Sequence, residues 1–147
     1  EKLAFAKAMT EGDIEEIVPS SYSEETSQQG QELVKYYDTH SKSARTAQAL
    51  NAICPGAGYL YVGQKQTAIT AFLLNGLCIA ASAYFFLDGN IAAGAIMTGF
   101  EAGWYFGGIY GAGEAAKTYN ERLYEHGAHH VMRQNEAHPV LNIKYAF

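Results

Sequence analysis

Charged residues are distributed unevenly along the chain, which has polar ends and an apolar centre. Residues 66–87 contain no charge in 22 positions, and residues 89–113 contain a single charged residue, Glu101. On both sides of this stretch, charged and polar residues are frequent. The pattern predicts two long apolar helices between two polar regions.

Each apolar segment is long enough to cross a bilayer. A helix over residues 67–87 would be about 31 Å long, which matches the hydrocarbon core. Its apolar residues cover every face, as a helix in contact with lipid requires. Asp88-Gly89-Asn90 is typical of a turn, and residues 91–112 are long enough to return. A buried helical hairpin of a soluble protein is the alternative, but only about 100 residues would remain to cover it.

The predicted fold class is therefore an all-α membrane protein. It consists of a two-helix transmembrane hairpin, a polar helical N-terminal region and a short C-terminal strand. We expect four regions: residues 1–45 (polar helices), 46–66 (an amphipathic helix and a Pro/Gly break), 67–115 (the hairpin) and 116–147 (a polar helix and a strand tail). The second hairpin helix is expected to leave the lipid and continue to about Tyr124.

Small residues recur at every fourth position of the second apolar helix. They are Ala95, Gly99, Gly103, Gly107 and Gly111. In water each such glycine would destabilise a helix by about 1 kcal/mol relative to alanine. In lipid, small residues at this spacing let two helix backbones approach closely. The spacing predicts a glycine zipper for helix packing.

Two polar side chains, Asn75 and Glu101, are expected near the middle of the hairpin. Folding the chain at Asp88–Asn90 gives them similar depth, which would allow a hydrogen bond between them. A carboxyl at the bilayer centre costs roughly 2.5–3.5 kcal/mol, so Glu101 should be protonated, paired or in contact with protein. Glu101 lies about 200° around the helix from Gly99 and Gly103. Two packing faces on one helix imply a third helix, from a second copy or a partner.

A proline- and glycine-rich segment precedes the hairpin. Pro55 disfavours helix at the residue before it, while Gly56 and Gly58 permit tight turns. Tyr61 is of a type that lies at headgroup depth. With Gly63, these residues form the predicted membrane-entry motif.

This segment, PGAGYLYVGQ, followed by an apolar hairpin, resembles the PGxGxxYxG segment of small bacterial membrane domains of the TM2 and DUF5683 type. The run AFLLNGL, then GFEAGWYFGGIYGA and AAKTYN, is similar to the hydrophobic C-terminal region of envelope proteins with tetratricopeptide-like N-termini. The resemblance covers about half of the chain, roughly residues 49–120. It implies a cell-envelope membrane protein with no assigned activity.

The polar C-terminal region carries two weaker patterns. Alternating apolar residues predict a strand that adds to the sheet of a partner; they are Leu141, Ile143, Tyr145 and Phe147. His126, His129 and His130 have helical spacing, but no carboxylate or cysteine completes an obvious metal site. We therefore expect no metal and no cofactor.

The composition and the absence of known motifs argue against several classes of function. A net charge of −5, with 10 Lys+Arg against 15 Asp+Glu, argues against nucleic-acid binding. The sequence contains no CxxC or HExxH pattern and no catalytic constellation. The interpretation is a non-enzymatic membrane subunit that anchors or scaffolds a larger assembly. The alternative is a small transporter, channel or proton-handling unit centred on Glu101.

The expected partners are membrane lipid and either other membrane subunits or further copies of the chain. The expected location is a bacterial cell-envelope membrane, the inner rather than the outer. Flanking cations slightly favour cytoplasmic ends by the positive-inside rule, whereas a removed signal peptide would reverse this orientation.

Overall fold

A computed structural model describes residues 24–134, and these residues are mostly helical, as predicted. There are five helices in this range: α1 (Glu24–His40), α2 (Ala44–Ile53), α3 (Ala57–Tyr61), α4 (Lys65–Leu87) and α5 (Ile91–Gln134). The range contains no strand. The predicted C-terminal strand (Leu141, Ile143, Tyr145 and Phe147) and the N-terminal part of the predicted polar region lie outside the described residues.

The chain divides into two compact units. Residues 42–119 form one unit, and the other contains, among the described residues, 24–41 and 120–134. The first unit comprises α2, α3, α4 and most of α5. The second comprises α1 and the last part of α5.

Within the larger unit, α4 and α5 follow one another through a tight turn at the predicted position. Gly89 adopts a φ of 78°, in the left-handed region that glycine favours. The Asn90 N–H donates to the Phe85 carbonyl over 2.9 Å, and the Asn90 side chain accepts from the Ala93 N–H over 3.4 Å. Asn90 therefore caps the C-terminal end of α4 with its backbone and the N-terminal end of α5 with its side chain.

Only one helix in residues 24–134, α4, is long and apolar enough to cross a membrane by length and composition. The second predicted spanning helix, α5, does not meet the same criterion. Its apolar half includes Glu101, Trp104 and several glycines and tyrosines, which lower its hydropathy. Two consecutive helices joined by a turn are present in this part of the chain, and the transmembrane hairpin that they were predicted to form stays a prediction.

The two faces of α4 are opposite in character to those of a helix in a water-soluble protein. The inner face carries small or polar residues: Ala68, Asn75, Cys78 and Ser82 are buried. Large apolar side chains over the rest of the α4 surface are exposed: Ile69, Phe72, Leu73, Leu74, Leu77, Ile79, Tyr84, Phe86 and Leu87. This arrangement is typical of a helix whose outer face meets lipid, because lipid solvates apolar side chains.

The apolar core of the larger unit lies beside α3, away from the hairpin turn. It consists of Ala47, Val62, Ala112, Ala115 and Ala116, with Ala44, Tyr59 and Tyr61 packed against it. Alanines dominate because α2, α3 and α5 approach one another closely here.

In the smaller unit, α5 continues to Gln134, beyond the predicted end near Tyr124. This part of α5 contains Gly127, and glycine has a low helix propensity. A Cβ at Gly127 would collide with the Leu33 side chain of α1, so glycine permits close packing at this point. Tyr37 and Tyr124 also meet edge to face, with ring centroids 6.1 Å apart. Tertiary packing therefore offsets the low helix propensity of glycine.

Candidate functional site

The PGxGxxYxG segment forms the corner from which α4 starts. Gly56 has a φ of 95°, and its N–H donates to the Asn51 side-chain oxygen over 2.8 Å. A Cβ at Gly56 would collide with the Ala68 carbonyl, and a Cβ at Gly58 would collide with the Ala47 carbonyl. Both glycines are thus required by close backbone approach.

The other residues of this segment complete the corner. Pro55 follows the end of α2. Tyr61 accepts a hydrogen bond from the Ser43 N–H over 3.3 Å, and the Lys42 ammonium lies 4.9 Å from the centre of its ring. Gly63 has a φ of 84° and open space around it. The segment holds α2, α3 and the start of α4 together.

The face of α5 that carries Glu101 packs inside the chain. Gly94, Glu101 and Ala112 are buried on it. A Cβ at Gly94 would lie 2.8 Å from the Phe86 ring of α4. The Tyr105 hydroxyl, on the same face, donates to the Ala52 carbonyl of α2 over 2.5 Å. Glu101 therefore lies on an internal face of α5.

The predicted zipper residues lie on a different face, most of which is uncovered. A Cβ built at Gly99, Gly103 or Gly107 meets no atom within 4 Å. Ala95 is exposed, whereas Gly111 lies against the Tyr59 hydroxyl. Within the described residues, nothing covers the glycine row at Gly99, Gly103 and Gly107, whereas Tyr59 covers its C-terminal end at Gly111.

A cavity of about 780 Å³ extends along this row, between α4 and α5. We call it the glycine groove. Its walls are Asn51, Tyr59, Thr67, Thr70, Ala71, Leu74, Asn75, Gly99, Phe100, Gly103, Trp104, Gly107 and Gly108. Its size is in the range of sites that bind an organic ligand or a few large side chains. The walls are mainly apolar, with a few hydrogen-bonding groups.

Two buried polar side chains between α4 and α5 are incompletely satisfied. Asn75 is 3% exposed and Glu101 is 7% exposed. The hydrogen bond between them that the sequence allowed is not formed: the Asn75 amide donates to the Ala71 carbonyl over 2.6 Å. Among the described residues, the Asn75 side-chain oxygen and both Glu101 oxygens have no hydrogen-bond partner. Cys78 of α4 is a polar neighbour of Glu101.

Two aromatic groove residues, Phe100 and Trp104, were not identified from the sequence. Phe100 and Trp104 stack with ring centroids 6.2 Å apart, and both are about half exposed. Tyr59 lies at the C-terminal end of the glycine row, beside Gly111. Burial raises the pKa of the Tyr59 hydroxyl. The available signal for Trp104 was that the chain has one tryptophan, next to a zipper glycine.

The histidines of α5 belong to the smaller unit. A second cavity, of about 640 Å³, is lined by His126 and His130 together with Glu32 of α1, and His129 is not among its walls. Among residues 24–134 no three His, Cys, Asp or Glu side chains are arranged to hold a metal ion.

Comparisons with family models, curated proteins and solved structures find no match to this chain. The resemblance of its PGxGxxYxG segment to TM2- and DUF5683-type domains stays a prediction.

Proposed function

We propose that this protein is a non-enzymatic integral membrane subunit that anchors or scaffolds a larger assembly by helix packing in the glycine groove. The observation that carries the proposal is the open space at Gly99, Gly103 and Gly107. Glycine in a helix costs free energy unless a neighbour uses the room it leaves. No residue among those described fills that room.

The distribution of exposed side chains supports a membrane location. Large apolar residues are exposed along the hairpin, whereas Asn75, Ser82 and Glu101 are buried. A continuous apolar surface of this kind is unusual for a monomer in water. Insertion in lipid accounts for it, because the bilayer covers the apolar side chains and the polar groups turn inward. A bacterial inner membrane is the proposed location, on the resemblance of the PGxGxxYxG segment.

Comparative purification tests the proposal. Native membranes containing the full chain would be solubilised in mild detergent, and co-purifying proteins and oligomer size would be measured by mass spectrometry. Gly103→Leu places a large side chain in the groove, so we expect it to abolish the association. Gly76→Leu is the matched control, because Gly76 lies in α4, has the same open surroundings and is not a groove residue.

The two variants separate the groove from general effects on the membrane segment. Retention of both variants in the membrane, with loss of association only for Gly103→Leu, would support the proposal. An unchanged assembly in Gly103→Leu would contradict it.

A second candidate function, proton handling in the membrane, is favoured by Glu101. Both of its carboxyl oxygens are buried and lack hydrogen-bond partners within the described residues. An ionisable group of this kind inside a membrane segment is a common feature of proton pathways. In liposomes this function predicts a pH-dependent proton flux that Glu101→Gln abolishes, whereas equal flux in both proteins would exclude it.

A further inference from the structure

The segment that contains α2 and α3 is a third charge-free stretch of the chain. Residues 46–64 carry no charged side chain, and they are flanked by Arg45 and Lys65. Lys65 is also the first residue of α4. In α5, Glu114 is the first charged residue after the buried Glu101. Arg45, Lys65 and Glu114 are therefore the charges that separate the apolar part of the larger unit from its polar end.

α3 contacts the polar ends of both α4 and α5. A Cβ at Gly56, which directly precedes α3, would collide with the Ala68 carbonyl in the first turn of α4. A Cβ at Gly58 would lie 2.8 Å from the Ala112 Cβ, and Ala112 is two residues before Glu114. Because the two glycines are neighbours in one short element, the start of α4 and Glu114 lie at the same end of the larger unit.

α2 lies alongside α5 and runs from that end toward the turn at Asp88–Asn90. A Cβ at Gly113 would lie 2.6 Å from the side-chain nitrogen of Gln48, in the first half of α2. A Cβ at Gly108 would lie 3.3 Å from the side-chain nitrogen of Asn51, near the end of α2. Gly108 is six residues before the charged residue at 114, which is about 9 Å along α5. The end of α2 therefore lies more than one helical turn inside the charged residues.

In a membrane-inserted hairpin, this position is inside the hydrocarbon. α4 has 23 residues, which corresponds to about 34 Å, and the hydrocarbon core is about 30 Å thick. The core then begins within the first turn of α4, close to Lys65. Pro55 follows the end of α2. The helix break at Pro55 therefore lies at the depth of acyl chains, below the headgroups.

The outward surface of this segment is apolar, like the exposed surface of α4. Ile53 is 82% exposed and Leu60 is 58% exposed. Asn51, a strongly hydrogen-bonding side chain, is 2% exposed. The exposed residues between 45 and 65 include no charged and no amide side chain; they are Thr46, Ala49, Ala52, Ile53, Cys54, Leu60 and Gly63. A surface of this composition suits contact with acyl chains.

Polar backbone groups at the helix break are bonded within the chain. The Gly56 N–H donates to the Asn51 side-chain oxygen over 2.8 Å. The Ala52 carbonyl, in the last turn of α2, accepts from the Tyr105 hydroxyl of α5. Irregular backbone is tolerated in the hydrocarbon region only where protein satisfies its polar groups. On an aqueous surface, water would satisfy the same groups.

We infer that residues 46–64 form a re-entrant hairpin, which enters the leaflet that holds the start of α4 and leaves it on the same side. α2 enters the hydrocarbon, Pro55 lies at the tip, and α3 returns toward the membrane surface. The partner of the outward surface is the acyl chains of membrane phospholipid, which contact Ile53, Cys54 and Leu60. This inference rests on the proposed membrane insertion of α4 and α5, and it adds a third membrane-embedded element to them.

Labelling of the native Cys54 thiol tests the re-entrant hairpin. Sonicated membranes that contain the full chain with Cys78→Ala would be treated with a water-soluble maleimide, before and after addition of SDS. Cys54 is exposed in the fold, so its own chain does not shield it. A thiol in hydrocarbon does not ionise and does not meet the reagent. We expect Cys54 to be unlabelled before SDS is added and fully labelled afterwards.

Arg45→Cys in a Cys54→Ala, Cys78→Ala background is the matched control. Arg45 is also exposed and lies at the other end of α2, among the charged residues. We expect this thiol to be labelled before SDS is added. Labelling of Cys54 at the same rate as Arg45→Cys would overturn the inference, because the helix break would then lie in water.

A tryptophan at the tip tests contact with lipid directly. The chain has one tryptophan, so Ile53→Trp combined with Trp104→Phe places a single fluorophore beside Pro55. The purified variant would be reconstituted in vesicles of phosphatidylcholine with brominated acyl chains, which quench the emission on contact. We expect quenching by these lipids and no quenching by iodide in the surrounding water. Quenching by iodide but not by brominated acyl chains would overturn the inference.

Failure of this inference is distinguishable from failure of the proposed function. Leu77→Cys, in a Cys54→Ala, Cys78→Ala background, reports insertion of α4 independently, because Leu77 is 66% exposed on that helix. A labelled Cys54 together with a protected Leu77→Cys would contradict the re-entrant hairpin and leave α4 in the membrane. Labelling of both thiols before SDS is added would contradict membrane insertion, and with it the proposed function.

Discussion

Replacing Gly58 by alanine should destabilise the corner formed by α2, α3 and α5. Gly58 is buried in α3, and its Cα faces neighbours from two other helices. An added Cβ would lie 2.8 Å from the Ala112 Cβ and 2.9 Å from the Asn51 Cβ, and would collide with the Ala47 carbonyl. None of these atoms is the end of a flexible side chain, so the helices themselves must separate.

The magnitude follows from two opposing effects. Alanine is a better helix former than glycine by about 1 kcal/mol. Overpacking that displaces backbone typically costs about 1–3 kcal/mol and occasionally more. Three simultaneous short contacts place Gly58 at the upper end of that range. We expect the free energy of unfolding to fall by about 2 kcal/mol.

The assay is reversible unfolding in mixed micelles with increasing SDS, followed by far-UV circular dichroism. Gly76→Ala is the matched control, because its Cβ meets nothing within 4 Å, and we expect the free energy of unfolding to be equal to or above that of the wild type. If Gly58→Ala were as stable as Gly76→Ala, the close approach of α3 to α2 and α5 would be wrong.

Two further predictions concern tyrosines outside α4. Burial raises the pKa of Tyr59 above the ordinary value of 10.0, so its hydroxyl ionises less readily in the folded state than in the unfolded state. The free energy of unfolding should therefore decline as the pH rises above about 10. Tyr59→Phe should weaken that decline in unfolding curves measured at alkaline pH. Tyr105→Phe removes the hydroxyl that donates to the Ala52 carbonyl. We expect the free energy of unfolding to fall by about 1 kcal/mol in the same SDS titration. An unchanged free energy of unfolding would show that this hydrogen bond contributes nothing to stability.

Features that depend on local chemistry were accessible from the sequence. The turn at Asp88–Asn90 and the helix break at Pro55 follow from residues that permit few alternative conformations. The apolar length of residues 67–87 predicted a helix, and α4 extends from Lys65 to Leu87. Periodicity also separated the Glu101 face of α5 from the glycine face.

Features that depend on which of several possible groups a side chain bonds or packs against could not be predicted from the sequence. The bond between Asn75 and Glu101 that the sequence allowed is not formed, and the Asn75 amide instead donates to a backbone acceptor one turn back, the Ala71 carbonyl. Which α5 face packs inward was left open, since both faces are small or polar. The bond from Tyr105 to Ala52 joins residues 53 positions apart, and no local pattern indicates it.

The continuation of α5 past Gly127 was missed for a related reason. Helix propensity disfavours glycine, but Leu33 of α1 occupies the space that its missing side chain leaves. The gain comes from a contact far away in sequence, which a single helix cannot reveal.

Cysteine accessibility in sonicated membranes, which expose both surfaces, is the most direct test of the membrane-embedded hairpin. In a Cys54→Ala, Cys78→Ala background, Leu77→Cys marks the outer face of α4 and Glu121→Cys marks the exposed surface of α5 in the smaller unit. A thiol in hydrocarbon does not ionise and does not meet a water-soluble maleimide. We predict labelling of Glu121→Cys alone, with Leu77→Cys reacting only after SDS is added. Equal labelling of both variants before SDS is added would contradict the account.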